Sequence, residues 1–147
     1  NPSTSFHLRG RELRVDFLTP ARRGGAEGPI SIPGLGLSAW PVPFLEYLIE
    51  EPVAAMVLDS SPVLVRVPRP GRFALHKLWT AATRTVSEQV KASKDRAQAR
   101  TLLALLASDR PDDLREAASA LGRYPTARRR VQRELTREAP ELLHWLG

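Results

Sequence analysis

The feature that most restricts the fold is a change of period at residues 68–71. Upstream, Val63, Val65 and Val67 alternate with Leu64 and Arg66, the period-two pattern of a strand with one apolar face. Pro68, Pro70 and Gly71 follow, and a strand ladder does not continue through prolines that lack its N–H donors. Beyond the break, apolar residues recur every three to four positions as far as Leu121. Strands first and helices last predict an α+β fold, with a small antiparallel or mixed β region followed by a C-terminal bundle of about four helices. The chain has 147 residues, the length of one domain. Residues 1–70 are therefore expected to form a β-rich part, and residues 71–147 a helical region packed on it as one compact unit.

Within the β region, Ser5–Arg9 and Glu12–Leu18 alternate around Gly10 and predict a hairpin. Leu13, Val15 and Phe17 share one face, leaving Arg14 and Asp16 on the other. Residues 21–29 form a glycine-rich loop. Residues 30–42 are apolar but punctuated by Pro33, Gly34, Gly36 and Pro41, so at most a short strand or an irregular packed segment is expected there. Pro43 opens a short helical run that Pro52 stops. Val53–Leu58 and Val63–Val67 flank Asp59-Ser60-Ser61-Pro62, a second hairpin.

Four helices are expected after the break. The first, from Arg72, turns Leu75, Leu78, Trp79, Ala82 and Val86 inward and carries Phe73, Lys77, Thr80 and Arg84 on another side. The second runs from about Ser93, as N-cap, to Ala107, with Ala99, Leu102, Leu103 and Leu106 as its core stripe. The third is capped by Ser108 or Asp109 and buries Leu114, Ala117, Ala118 and Leu121 before Gly122. The fourth starts near Pro125 and buries Ala127, Val131 and Leu135. Its other sides carry Arg128, Arg129, Arg130, Arg133 and Arg137.

The absence of cysteine excludes disulfides and thiolate metal sites and fits a reducing cytoplasm. No apolar run approaches the roughly 18 residues of a membrane span, so no membrane partner is expected. Lys and Arg number 22 against 16 acids, a net charge of +6, which points to a polyanionic partner. There is no G-x-S-x-G nucleophile elbow, and His7, His76 and His144 lack metal-ligand spacing.

Phosphoryl or nucleotidyl transfer suits the residues that remain. Such chemistry needs carboxylates for Mg²⁺ and cations for triphosphate oxygens. Lys77 and Arg84 stand seven residues apart, two helical turns, and so project from one side. Asp95 and Gln98 share a stripe at the start of the next helix. Asp16, a carboxylate in a strand where Asp is disfavoured, is either an exposed edge residue or a metal ligand.

RVDFLTP, VRVPRPGRFALHKLWTAATR and KASKDRAQARTLLALL together resemble a family of bacterial nucleotidyltransferase-fold proteins. That family is distantly similar to abortive-infection (AbiEii-type) nucleotidyltransferase toxins. The resemblance spans roughly residues 6–121 and implies a polymerase-β-like core that moves an NMP from an NTP substrate to an acceptor it does not identify, RNA and protein being the candidates. It implies Asp16 as a magnesium ligand, Lys77 as a catalytic lysine at the nucleotide phosphates, and Arg84 and Asp95 as nucleotide- or phosphate-binding groups. Gln98 stands where related toxins often carry a second acid. The fold's opening turn and D-x-D strand are not found before Asp16, so the chain is expected to be the C-terminal part of such a protein and inactive alone. Mg²⁺ is accordingly expected only in the intact parent.

Two other readings compete with that one. Arg128, Arg129, Arg130 and Arg133 would suit a basic helical module that grips nucleic acid, although they equally suit a solvated helix face paired with Glu134 and Glu138. Alternatively, the chain is a non-catalytic scaffold of the same fold.

Overall fold

A computed structural model of the chain describes residues 3–22, 24, 28–58 and 61–146. The architecture is α+β, with short strands in the N-terminal half and helices after Pro70. It divides into two compact units, Asn1–Glu46 and Tyr47–Gly147.

In the first unit, β1 (Ser5–His7) pairs antiparallel with β2 (Arg14–Asp16), Phe6 opposite Val15. This is the first expected hairpin, but the strand that begins it does not continue unbroken to Leu18. At Phe17 the chain changes partner: its N–H donates to Thr4 O at 2.9 Å, and its carbonyl accepts from Trp40 N at 2.8 Å. β3 (Leu18–Pro20) then lies parallel to β5 (Leu37–Val42).

Residues 30–42 hold more regular structure than their punctuation suggests. β4 (Ile30–Ile32) pairs antiparallel with the first half of β5, Ile32 opposite Leu37. Gly34 and Gly36 adopt positive φ of 82° and 62° between them, so these residues make the turn instead of ending the sheet. Pro41 is tolerated for a directional reason. Trp40 N points toward β3, so the nitrogen of Pro41 points the other way, where β4 has already ended.

The division between the units falls within α1 (Leu45–Ile49). The second unit continues with β6 (Val53–Val57) and β7 (Val63–Val67), antiparallel with Ala55 opposite Val65. Asp59 and Ser60 of the expected connecting turn lie outside the described residues, as do Arg23 and residues 25–27 of the glycine-rich loop.

The bundle consists of α2 (Pro70–Thr83), α3 (Gln89–Asp109), α4 (Pro111–Leu121) and α5 (Pro125–Glu138). A 3-10 segment, Pro140–Leu146, closes it. Leu78, Ala99, Leu103, Leu114, Ala117, Leu121, Val131 and Leu135 are buried, nearly all at positions set by the 3.6-residue period.

Three helix readings need correction. α2 stops at Thr83 with Arg84 in an extended conformation, so the inward phase does not reach Val86, which is 89% exposed. Ala74 and Ala81 take inward places instead. α3 begins at Gln89 and not at Ser93, because Thr85 and Glu88 form a capping box around the 3-10 turn Val86–Glu88 and satisfy free N–H groups one turn earlier. Ser108 and Asp109 complete α3 and do not cap α4. Acids Asp112 and Asp113 sit in the first turn of α4, where the helix dipole favours them.

Candidate functional site

The capping box determines what the α2–α3 corner can present. By starting α3 at Gln89, it places Asp95 in line with Ala92, Ala99, Leu103 and Leu106, the buried stripe of that helix. A carboxylate on a core stripe needs partners, because removing a charge from water is costly unless it is paired. Asp95, 3% exposed, has two. Lys77 Nζ donates to Oδ1 at 2.8 Å. Arg84 donates to Oδ2 from Nε at 3.1 Å and from Nη2 at 3.0 Å.

Burial alone would raise the Asp95 pKa, but the hydrogen bonds from Lys77 and Arg84 outweigh it and hold the carboxyl below its usual 3.8. Arg84 is used up by its neighbours, since Nη1 donates to Glu88 at 3.0 Å. Lys77 is not. Its one hydrogen bond among the described residues goes to Asp95, and its ammonium lies 5.4 Å from the centre of the Phe73 ring. His76, next in sequence, is pushed down to about 4, first by burial and then by the Lys77 charge, and so is neutral at pH 7 beside the cation.

The structure therefore brings together Lys77, Arg84 and Asp95. Gln98 follows one turn beyond Asp95 on α3, exposed. Asp16 belongs to the first unit, where its carboxylate accepts from Arg14 Nε at 2.7 Å and its side chain is 42% exposed.

Among the described residues no group of three or more His, Asp and Glu side chains is placed to hold a metal. A magnesium ion at Asp16 would need the Arg14 pair released and oxygen donors beyond those gathered here. The donor set present does not fit the ion by itself.

The arginines of α5 separate into different roles. Arg128 donates to the carbonyl of Leu146 and so fastens the closing 3-10 segment. Arg129 and Arg133 are exposed and Arg130 is half-buried. None of these three has an ion pair among the described residues. Glu134 is taken by Arg96 of α3 at 2.7 Å.

One buried cation gave no signal in the sequence. Arg72, 1% exposed, donates to Glu116 of α4 from Nε at 3.0 Å, and from Nη1 to Glu50 at 3.0 Å and the Tyr47 carbonyl at 3.3 Å. Burial works against its charge, but the Glu116 and Glu50 hydrogen bonds more than compensate and raise its pKa. Glu51, at φ 52° just past α1, brings its carboxylate to 3.6 Å from the same guanidinium. Arg123 shares Glu50 at 2.9 Å. Arg72 thus joins α1, α2 and α4. Its partners lie 22 and 44 residues away in sequence, beyond the reach of any local pattern.

The chain is thus an α+β protein whose α2–α3 corner holds a lysine on a buried helix carboxylate. The sequence model of a family described as Nucleotidyltransferase matches residues 1–122, and the chain belongs to that family. The match includes Asp16, Lys77, Arg84 and Asp95 and ends before α5. Neither a curated protein nor a solved structure matches the chain. No helix among the described residues is long and apolar enough to cross a membrane.

Proposed function

We propose that this chain serves the transfer of a nucleoside monophosphate from a nucleoside triphosphate to an acceptor, with Lys77 as the group that meets the phosphates. The observation that carries this reading is the state of the Lys77 ammonium. It is fixed at 2.8 Å by a buried carboxylate, yet two of its three N–H donors have no partner among the described residues. A cation held in place by the fold loses little freedom on meeting a phosphate, and preorganised charge of this kind is how phosphoryl-transfer sites act.

In the reaction, the acceptor's nucleophilic atom bonds to the α-phosphorus and gives up its proton to solvent, while the bond to the bridging oxygen breaks and pyrophosphate leaves. Lys77 stabilises the charge that accumulates on the phosphate oxygens. Asp95 orients Lys77. Arg84 is a positioning residue, since its fork neutralises Asp95 on the side away from Lys77. No step is assigned to a metal ion, because the described residues do not assemble a ligand set for one.

The test is binding of a nucleoside triphosphate to the folded chain, together with transfer of label from an α-labelled triphosphate. Lys77→Met is expected to weaken binding at least ten-fold at a temperature where the variant, which loses one partner of the buried Asp95 and so some stability, is still fully folded by its circular dichroism. Wild-type affinity in that variant, or no triphosphate binding by the folded wild type, would reject the reading.

A second reading, nucleic acid held on α5, is favoured by the unpaired state of Arg129, Arg130 and Arg133 among the described residues. Neutralising phosphates makes such binding fall steeply with salt. Substituting all three by Ala should lower the affinity for RNA and flatten its salt dependence. An unchanged salt slope would remove this reading.

A further inference from the structure

Beside Lys77, α2 and α3 leave an open groove of about 400 Å³, lined by Phe73, Ala97, Gln98, Thr101 and Leu102. It is a shallow, solvent-open groove with a largely apolar lining and one free amide, and its volume lies within the range of small-molecule sites. The helices run antiparallel here, since Lys77 meets Asp95 while the earlier Phe73 meets the later Gln98 and Thr101. Lys77 does not itself line the groove, but its ammonium sits 5.4 Å from the centre of the Phe73 ring, one of the groove's walls.

Phe73 and Lys77 are four residues apart on one face, about 6 Å along the axis. Thr101 spends its hydroxyl on the Ala97 carbonyl at 3.1 Å. Gln98 is exposed, and its amide makes no hydrogen bond among the described residues. An aromatic wall with a free amide, one helical turn from a phosphate-facing cation, matches a nucleotide: flat base at one end, anion at the other.

We infer that this groove is the nucleobase subsite and that Gln98 selects the base by hydrogen bonds to its edge. The inference rests on the reading of Lys77 as the phosphate contact. An amide both donates and accepts, so it pairs with the adjacent donor and acceptor on a base edge and discriminates among bases that present them differently.

Calorimetric titration of the folded chain with the four common nucleoside triphosphates and with inorganic triphosphate tests it. The four are expected to differ, the tightest by about ten-fold from the weakest. Gln98→Ala should compress that spread to within about two-fold and leave inorganic triphosphate unchanged. Thr101→Arg, which fills the groove from an exposed position, should reduce all four nucleotides toward inorganic triphosphate.

Equal wild-type affinities for the four bases, or a spread that survives Gln98→Ala, would overturn the subsite. If Lys77→Met still abolishes binding in that case, the phosphate reading stands without it. If neither nucleotides nor inorganic triphosphate bind the folded wild type, both fall together.

Discussion

Arg72 and Gly71 show how much a single position decides. Removing one partner of a buried ion pair costs about 3–5 kcal/mol because the remaining charge is stranded. Around Arg72 the stranded groups are Glu116 and Glu50, whose side chains keep 29% and 38% exposure and can rehydrate. Arg72→Met is therefore expected to destabilise the chain by about 2–4 kcal/mol in urea unfolding, and a loss below about 1 kcal/mol would show the network to be ornamental. Gly71 is required for a different reason. A Cβ there would lie 2.4 Å from the carbonyl oxygen of Asp113 and 3.0 Å from Ala117 Cβ, so α2 and α4 could not keep their approach. Alanine gains up to about 1 kcal/mol in helix propensity but forces a shift that costs about 1–3 kcal/mol. Gly71→Ala should be less stable than wild type, and an equal or higher unfolding midpoint would contradict the close contact.

At the scale of elements, the tie between α2 and α3 is electrostatic as well as apolar, and pH should reveal it. Asp95 has a lowered pKa in the folded state, so the stability it contributes is complete above its ordinary value of 3.8 and is lost as pH falls through the lower folded value. His76 acts earlier. The folded chain resists protonating it until about 4, whereas the unfolded chain takes the proton near 6.5, so stability declines as pH falls from 6.5 to 4. His76→Gln should flatten the slope between pH 6.5 and about 5, leaving the loss at lower pH that comes from carboxylates such as Glu50, Glu88 and Asp95, all held below their ordinary values in the folded chain. Asp95→Asn should remove the Asp95 share of the acid loss and lower stability at pH 7 by about 2 kcal/mol or more. A His76→Gln variant with the wild-type slope would show that the imidazole does not titrate as its burial requires.

At the scale of the whole molecule, the second unit has the contents of an independent domain: four helices, a continuous apolar core and the Arg72 network. A chain trimmed to residues 43–147 is expected to keep its helical signal and unfold cooperatively on heating. A broad, non-cooperative melt would mean that the bundle depends on the residues removed. The family match reaches from residue 1 to residue 122 and so spans both units without α5. Nucleotide chemistry and the arginines of α5 are thus separable by experiment.

Much of this was legible from residue order because it depends on near neighbours. The switch from period two to period 3.6 at Pro68–Gly71, the inward faces of α4 and α5, and both hairpins follow from contacts within a few positions. Residue order also singled out Lys77, Arg84 and Asp95. The place of Asp95 on the buried stripe with Ala92, Ala99 and Leu103 was not legible there, because the expected helix begins at Ser93 and groups Asp95 with the exposed Gln98. What the chain order does not carry is the choice among distant partners. Phe17 passing from one strand to another, Arg72 gathering acids 22 and 44 residues away, and Gln98 meeting Phe73 across a groove are set only when helices and strands pack, because a side chain's free energy depends on whatever charge or surface packing brings beside it.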